Sequence, residues 1–134
     1  MEDKDMLNLK GLDHLNFNVR NLEDTVNWYQ DLFGFEVKEE GFGSKGNPYK
    51  IIGKAGVLYM ALYESSHDEL QENQLNHLGF NLENFDESID LLKDKGVELG
   101  YGGVIDYPKS KSAYITDPNG VEIELSSHFG GGLN

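Results

Sequence analysis

Polar and apolar positions alternate along His14-Leu15-Asn16-Phe17-Asn18-Val19. This period of two places the polar set on one face of a strand and the apolar set, facing a core, on the other. Asn21 follows as an N-cap candidate, with Glu23 and Asp24 where the helix dipole favours acids. Val26, Tyr29, Leu32 and Phe33 then recur at helical spacing, Gly34 ends the helix and Phe35-Glu36-Val37 opens a second strand. Two more strands are predicted around Tyr49–Ile52 and Val57–Tyr63, parted by the turn Gly53-Lys54-Ala55-Gly56. The glycine-containing stretch between Glu39 and Pro48 lacks the Gly-Lys-Ser/Thr ending of a phosphate loop and reads as a connection.

The second half reads in parallel. Leu75–Leu82 is predicted as a strand, Asn84 or Asp86 as a cap, and Ile89, Leu91 and Leu92 lie on a helix that Gly96 stops. Strands are expected around Val97–Leu99, Ser112–Thr116 and Val121–Ser126, the last two joined by a β-turn at Asp117-Pro118-Asn119-Gly120. Lys109, Ser110, Lys111 and Ser112 are expected in the loop leading to Tyr114. Each half is thus β-α-β-β-β, an α+β arrangement in tandem. A single half leaves a sheet face and strand edges that need covering, by the other half or by a second chain.

The parallel extends to individual residues. Leu12–Val19 returns as Leu75–Leu82, with His14 and His77 63 residues apart, and the same offset carries Asp24 onto Glu87, Val26 onto Ile89 and Tyr29 onto Leu92. It also carries Ala61 onto Glu124. Three of four equivalent positions are therefore His14, His77 and Glu124, all capable of holding a metal, and the fourth is alanine.

Composition narrows the chemistry. With 134 residues, 38% of them hydrophobic, the chain suits one domain built of two halves. It has no cysteine, so any metal must be held by imidazole and oxygen ligands. The net charge of −13 argues against nucleic acid or an anionic membrane as partner. The N-terminus lacks the basic-then-apolar order of a signal peptide, and no apolar run approaches the ~20 residues of a membrane span. A soluble, cytoplasmic protein is the expectation.

The repeat, the helix end Trp28-Tyr29-x-x-Leu32-Phe33-Gly34-Phe35 and the hairpin Asp117-Pro118-Asn119-Gly120-Val121-Glu122-Ile123-Glu124-Leu125 together resemble the vicinal oxygen chelate superfamily, the glyoxalase, bleomycin-resistance and extradiol dioxygenase group. The resemblance runs from about residue 9 to 128. It implies repeat 1 at about 9–64, an acidic linker at about 65–74 and repeat 2 at about 75–128. It also implies curved mixed sheets around a metal cleft, with a divalent ion (Mn, Fe(II), Ni, Co or Zn) held by His14, His77 and Glu124, and the Glu39–Pro48 region forming a lid or a plain hairpin excursion. In single-domain relatives the sites are shared across a homodimer.

Two imidazoles and one carboxylate leave half an octahedron open, so two oxygens of a small-molecule substrate can bind together. Ala61 stands where glyoxalases keep a fourth ligand, which turns the resemblance toward fosfomycin-modifying transferases and extradiol dioxygenases. The arginine that fosfomycin enzymes place shortly after the metal glutamate is absent from Ser126-Ser127-His128-Phe129-Gly130. Asn16, Tyr59, Lys111, Ser112 and Tyr114 are the substrate-binding candidates. Glu122, His67 and His128 read as surface or supporting residues. Two functions compete: a metal-dependent lyase, thiol transferase or ring-cleaving dioxygenase, and a metal-free protein of the bleomycin-resistance type that sequesters a drug or metabolite.

Overall fold

A computed structural model describes residues 12–65 and 77–128. The chain divides into two compact units, 1–70 and 71–134. His67, most of the expected linker, and Phe129 and Gly130 lie outside the described residues. No helix among those described is long and apolar enough to cross a membrane.

Unit 1 runs β1 (Leu15–Val19), α1 (Leu22–Phe33), β2 (Glu36–Phe42), β3 (Pro48–Lys54) and β4 (Leu58–Glu64). Its sheet has the order β1-β4-β3-β2, with β1 parallel to β4 and the other pairs antiparallel. The helix starts where the sequence expects it: the Asn21 side chain accepts from the Asp24 N–H at 2.9 Å. A second cap comes from β4, where Glu64 Oε2 accepts from the Leu22 N–H at 2.9 Å. Two otherwise orphaned amide donors are thereby satisfied. Gly34 closes the helix at φ 68, a left-handed conformation that glycine adopts without steric cost. The buried face of α1, Leu22, Thr25, Val26 and Tyr29, belongs to a core with Phe35, Ile52, Met60 and Leu62. Tyr29 is fully buried and stacks on Phe35 at 5.9 Å. Each such side chain stabilises the fold by about 1.5–3 kcal/mol through burial.

Unit 2 repeats the order with β5 (Leu78–Asn81), α2 (Phe85–Asp94), β6 (Ile105–Tyr107), β7 (Ser110–Thr116) and β8 (Glu122–Ser126), and its sheet runs β5-β8-β7-β6. The described residues thus form two mixed four-stranded sheets and two helices. The ladders preserve the sequence repeat: Asn16 pairs with Ala61 in unit 1, and Gly79 with Glu124 in unit 2. In unit 2, Ala113, Ile115, Ile123 and Leu125 are buried, as are Phe85, Ile89 and Leu92 of α2. The pleat sends Ser112, Tyr114, Thr116, Glu122, Glu124 and Ser126 to the opposite face from those strand residues.

Two expectations change. Val97–Leu99 is not a strand; the third strand of unit 2 is β6, further on. The helix end explains why. Gly96 turns left-handed at φ 75, and the Val97 N–H bonds back to Leu92 O at 2.9 Å while the Gly96 N–H reaches Lys93 O at 3.0 Å, a Schellman closure that spends the amides a ladder would use. Ser110, Lys111 and Ser112 are not loop residues, since β7 already starts at Ser110. The Glu39–Pro48 region, by contrast, is the hairpin excursion the sequence allowed: β2 runs to Phe42, β3 starts at Pro48, and the Gly43 N–H donates to Asn47 O at 2.7 Å.

Candidate metal centre

Glu124 is the only carboxylate on the inner rungs of the polar face of β8, and it is 7% exposed. A carboxylate this buried requires donors. The β7–β8 register pairs Tyr114 with Glu124 and Ser112 with Ser126, so both hydroxyls stand on the carboxylate's side of the sheet. Ser112 Oγ donates to Glu124 Oε2 at 2.7 Å, and Tyr114 OH donates to Oε1 at 2.9 Å. Burial, then the hydrogen bond to Glu124 and that residue's charge, push the Tyr114 phenol up to about 12, so it remains a protonated donor at neutral pH.

His77 precedes β5 and turns its ring to the same place. Its Nε2 lies 3.2 Å from Glu124 Oε1, and the ring meets Tyr114 edge to face with centroids 5.7 Å apart. Two ligands each about 2.0–2.2 Å from one ion and at right angles to each other are about 3 Å apart. The observed separation is close to that distance, and the imidazole–carboxylate donor set suits Mn, Fe(II), Co, Ni or Zn. Among the described residues no three His, Asp or Glu side chains gather into one group. Unit 2 by itself thus supplies two of the three expected donors.

His14 holds the matching position before β1 and is half exposed. Its Nδ1 lies 2.6 Å from Asp13 Oδ2. A carboxylate only accepts, so Nδ1 carries the proton and Nε2 is the nitrogen left to meet a metal. At a rim this exposed the pair sets the orientation of the ring and adds little stability. Asn16 lies two residues further along the strand, exposed, with the nearly buried Ala61 as its ladder partner. Tyr59, half-buried on β4, lies against Gly53, where a Cβ would come within 2.6 Å of the tyrosine ring.

The remaining candidates fall in two groups. Ser112 and Tyr114 direct their hydroxyls at Glu124, which makes them supports of the carboxylate. Lys111 points away from them on the pleat and donates to Asp86 at 3.3 Å, in a different cavity that His128 also lines. Two residues escape the sequence reading: Tyr101 and Tyr107, which with Ile105, Tyr114, Glu122 and His77 line a cavity of about 320 Å³. Tyr101 OH donates to Glu122 Oε1 at 2.5 Å, and this bond raises its own phenol above the ordinary value. The run Gly100-Tyr101-Gly102-Gly103, an aromatic ring set among glycines, was the available signal.

Comparison with known proteins identifies the family. Residues 11–125 match the family model of the Glyoxalase/Bleomycin resistance protein/Dioxygenase superfamily. The chain is 28% identical over 123 residues to the metallothiol transferase FosB of Staphylococcus saprophyticus, a match spanning 87% of this chain and 76% of that one. Its fold is similar to that of FosX, a genomically encoded fosfomycin resistance protein of Listeria monocytogenes, with a TM-score of 0.73 at 26% identity over 90% of this chain and 95% of that one. FosX has also been solved in complex with Mn(II) and sulfate, and that structure matches with a TM-score of 0.68 at 26% identity over 90% of this chain and 94% of that one. With two βαβββ repeats in matching register and a family match that spans both, the chain belongs to the glyoxalase, bleomycin resistance protein and dioxygenase superfamily.

Proposed function

We propose that the protein is a divalent-metal-dependent enzyme acting on a small oxygenated substrate, with His14, His77 and Glu124 as the metal ligands. The observation that carries this reading is the 3.2 Å approach of His77 Nε2 to Glu124 Oε1, at positions singled out independently by the sequence repeat. The Mn(II) found in FosX and the metallothiol transferase activity in the name of FosB support it. Similarity to FosB also favours a transferase over a lyase, a ring-cleaving dioxygenase or a metal-free sequestering protein.

When bound, a divalent ion supplies Lewis-acid stabilisation of negative charge developing on a substrate oxygen. The chain's own residues prepare the place. Ser112 and Tyr114 fix both oxygens of Glu124, and Asp13 fixes the tautomer of His14. Ala61 offers no donor where a fourth ligand would stand, leaving room for a second substrate oxygen. Asn16, exposed two residues after His14 on the same strand, is the group proposed to orient the substrate.

The proposed working unit is a homodimer with shared sites, in which His14 of one chain joins the partner's His77 and Glu124. Two donors from unit 2 and one from the equivalent position of unit 1 make up the set, and two-fold pairing is the commonest closed assembly. Pulsed electron paramagnetic resonance of the Mn(II)-loaded protein tests the ligand set directly. Couplings to two imidazole nitrogens are expected, and coupling to none or only one would contradict it. Mixing His14→Ala with Glu124→Ala chains tests the sharing: hybrid dimers should regain about half of the metal sites, by symmetry. No recovery despite confirmed subunit exchange would show that each chain builds its site alone.

A further inference from the structure

The cavity beside His77 has a distinct chemistry. Three tyrosines, Tyr101, Tyr107 and Tyr114, and Ile105 form its walls, and its volume of about 320 Å³ accommodates a six-membered ring. Among the described residues no lysine or arginine lines it. Glu122 is its one carboxylate, so an anionic substituent is repelled there. The rings form a continuous series: Tyr101 meets Tyr114 edge to face at 4.8 Å, and Tyr114 meets His77 at 5.7 Å.

Tyr101 is held at a cost. Its φ of 53 lies in the left-handed region that disfavours any side chain with a Cβ, in a loop where Gly102 and Gly103 already take positive φ. Burial does not account for the ring, which is 67% exposed. What it does gain is the hydrogen bond to Glu122 and the edge-to-face contact with Tyr114. Strain of this kind persists where the side chain serves a site.

We propose that Tyr101 is a specificity-determining residue which, with Tyr107 and Tyr114, forms a subsite for an uncharged aryl substituent of a substrate whose oxygens bind at the His77–Glu124 centre. The aryl class follows from the ring-lined walls, which offer edge-to-face and offset partners, with no cationic side chain among the described lining residues. This inference rests on the metal-chelating reading above, and the experiment separates the two.

Acetohydroxamate and benzohydroxamate present the same pair of chelating oxygens and differ in a methyl against a phenyl group. By calorimetry on Zn(II)-loaded protein, the benzo compound should bind at least about tenfold more tightly, a difference within reach of one buried ring. Tyr101→Asn accepts the left-handed backbone, so it should keep the thermal midpoint within a few degrees while the ratio of the two affinities falls at least fivefold. Tyr101→Phe, which keeps the ring and loses the Glu122 bond, should retain most of the ratio and guards against a misfolded asparagine variant. Equal binding of the two hydroxamates to the wild type, or tighter binding of the trimethylammonium analogue betaine hydroxamate, overturns the aryl assignment. If neither hydroxamate binds the Zn(II)-loaded protein, it is the chelation reading that fails. The aryl contact is then read on metal-free protein by saturation-transfer NMR with benzyl alcohol. Transfer to the phenyl protons that is lost in Tyr101→Asn supports the subsite, and no transfer to the wild type overturns it.

Discussion

Gly79 stands opposite Glu124 in the parallel ladder of β5 and β8, and a Cβ added to it would meet no atom within 4 Å. The equivalent pair in unit 1 is Asn16 and Ala61. The repeats therefore keep one ladder and differ in what it presents: a carboxylate beside an empty rung in unit 2, a methyl beside an amide in unit 1.

That empty rung makes Gly79→Val informative. Glycine weakens a strand interior and valine suits one, so the variant should be more stable by about 0.5–1 kcal/mol. The added side chain would occupy the space next to Glu124, and binding of a chelating ligand should fall by about tenfold or more, the size of effect expected when a preorganised site is blocked. Thermal melts and ligand titration check both parts. A stabilised variant with unchanged ligand affinity would remove that space from the site.

Ser112 and Tyr114 offer a second test. Each donates to one oxygen of Glu124, and loss of such an outer partner typically lowers metal affinity by about 10–100-fold. Ser112→Ala and Tyr114→Phe should each fall in that range, measured by competition with a fluorescent chelator. Affinity unchanged in both would mean that Glu124 does not depend on them to face the ion.

The sequence carries the site unevenly. His77 and Glu124 are legible because the repeat marks them twice, once by position and once by residue type. The strands around them are legible from period-two alternation, as in Asn16-Phe17-Asn18-Val19. The Val97–Leu99 expectation fails because short apolar runs after a helix look alike whether their amides enter a ladder or close the helix, and here Val97 closes it. Ser112 and Tyr114 read from the sequence as substrate-binding candidates, but the partner of each hydroxyl depends on β7–β8 register, which composition does not encode. For Tyr101 the ring set among glycines is the only local signal, and its partners Glu122 and Tyr114 follow from tertiary contacts that the run itself does not encode.

Ala61 leads to a prediction about reaction type. With a methyl where a fourth ligand would stand, no side chain at that position can move a proton as a carboxylate does. The metal-loaded protein should show little or no turnover of the methylglyoxal–glutathione hemithioacetal in a spectrophotometric assay. Robust turnover would require a base elsewhere and would overturn the role given to this position.

The two helix starts should differ in stability terms. Asn21 caps α1 through its side chain, whereas Asn84 makes no side-chain cap bond at α2. Asn21→Ala should cost about 1 kcal/mol in urea denaturation, as losing a cap usually does, and Asn84→Ala clearly less. Equal losses would show that the Asn21 bond contributes nothing of its own.

The central claim is that His77 and Glu124 hold a metal, and calorimetric titration of metal-free protein with Mn(II) measures it most directly. The wild type should bind about one ion per chain, as expected for one ligand set per chain. His77→Ala, which removes one of three donors, should weaken binding by about 100-fold or more. The same stoichiometry and affinity in wild type and His77→Ala would contradict the account.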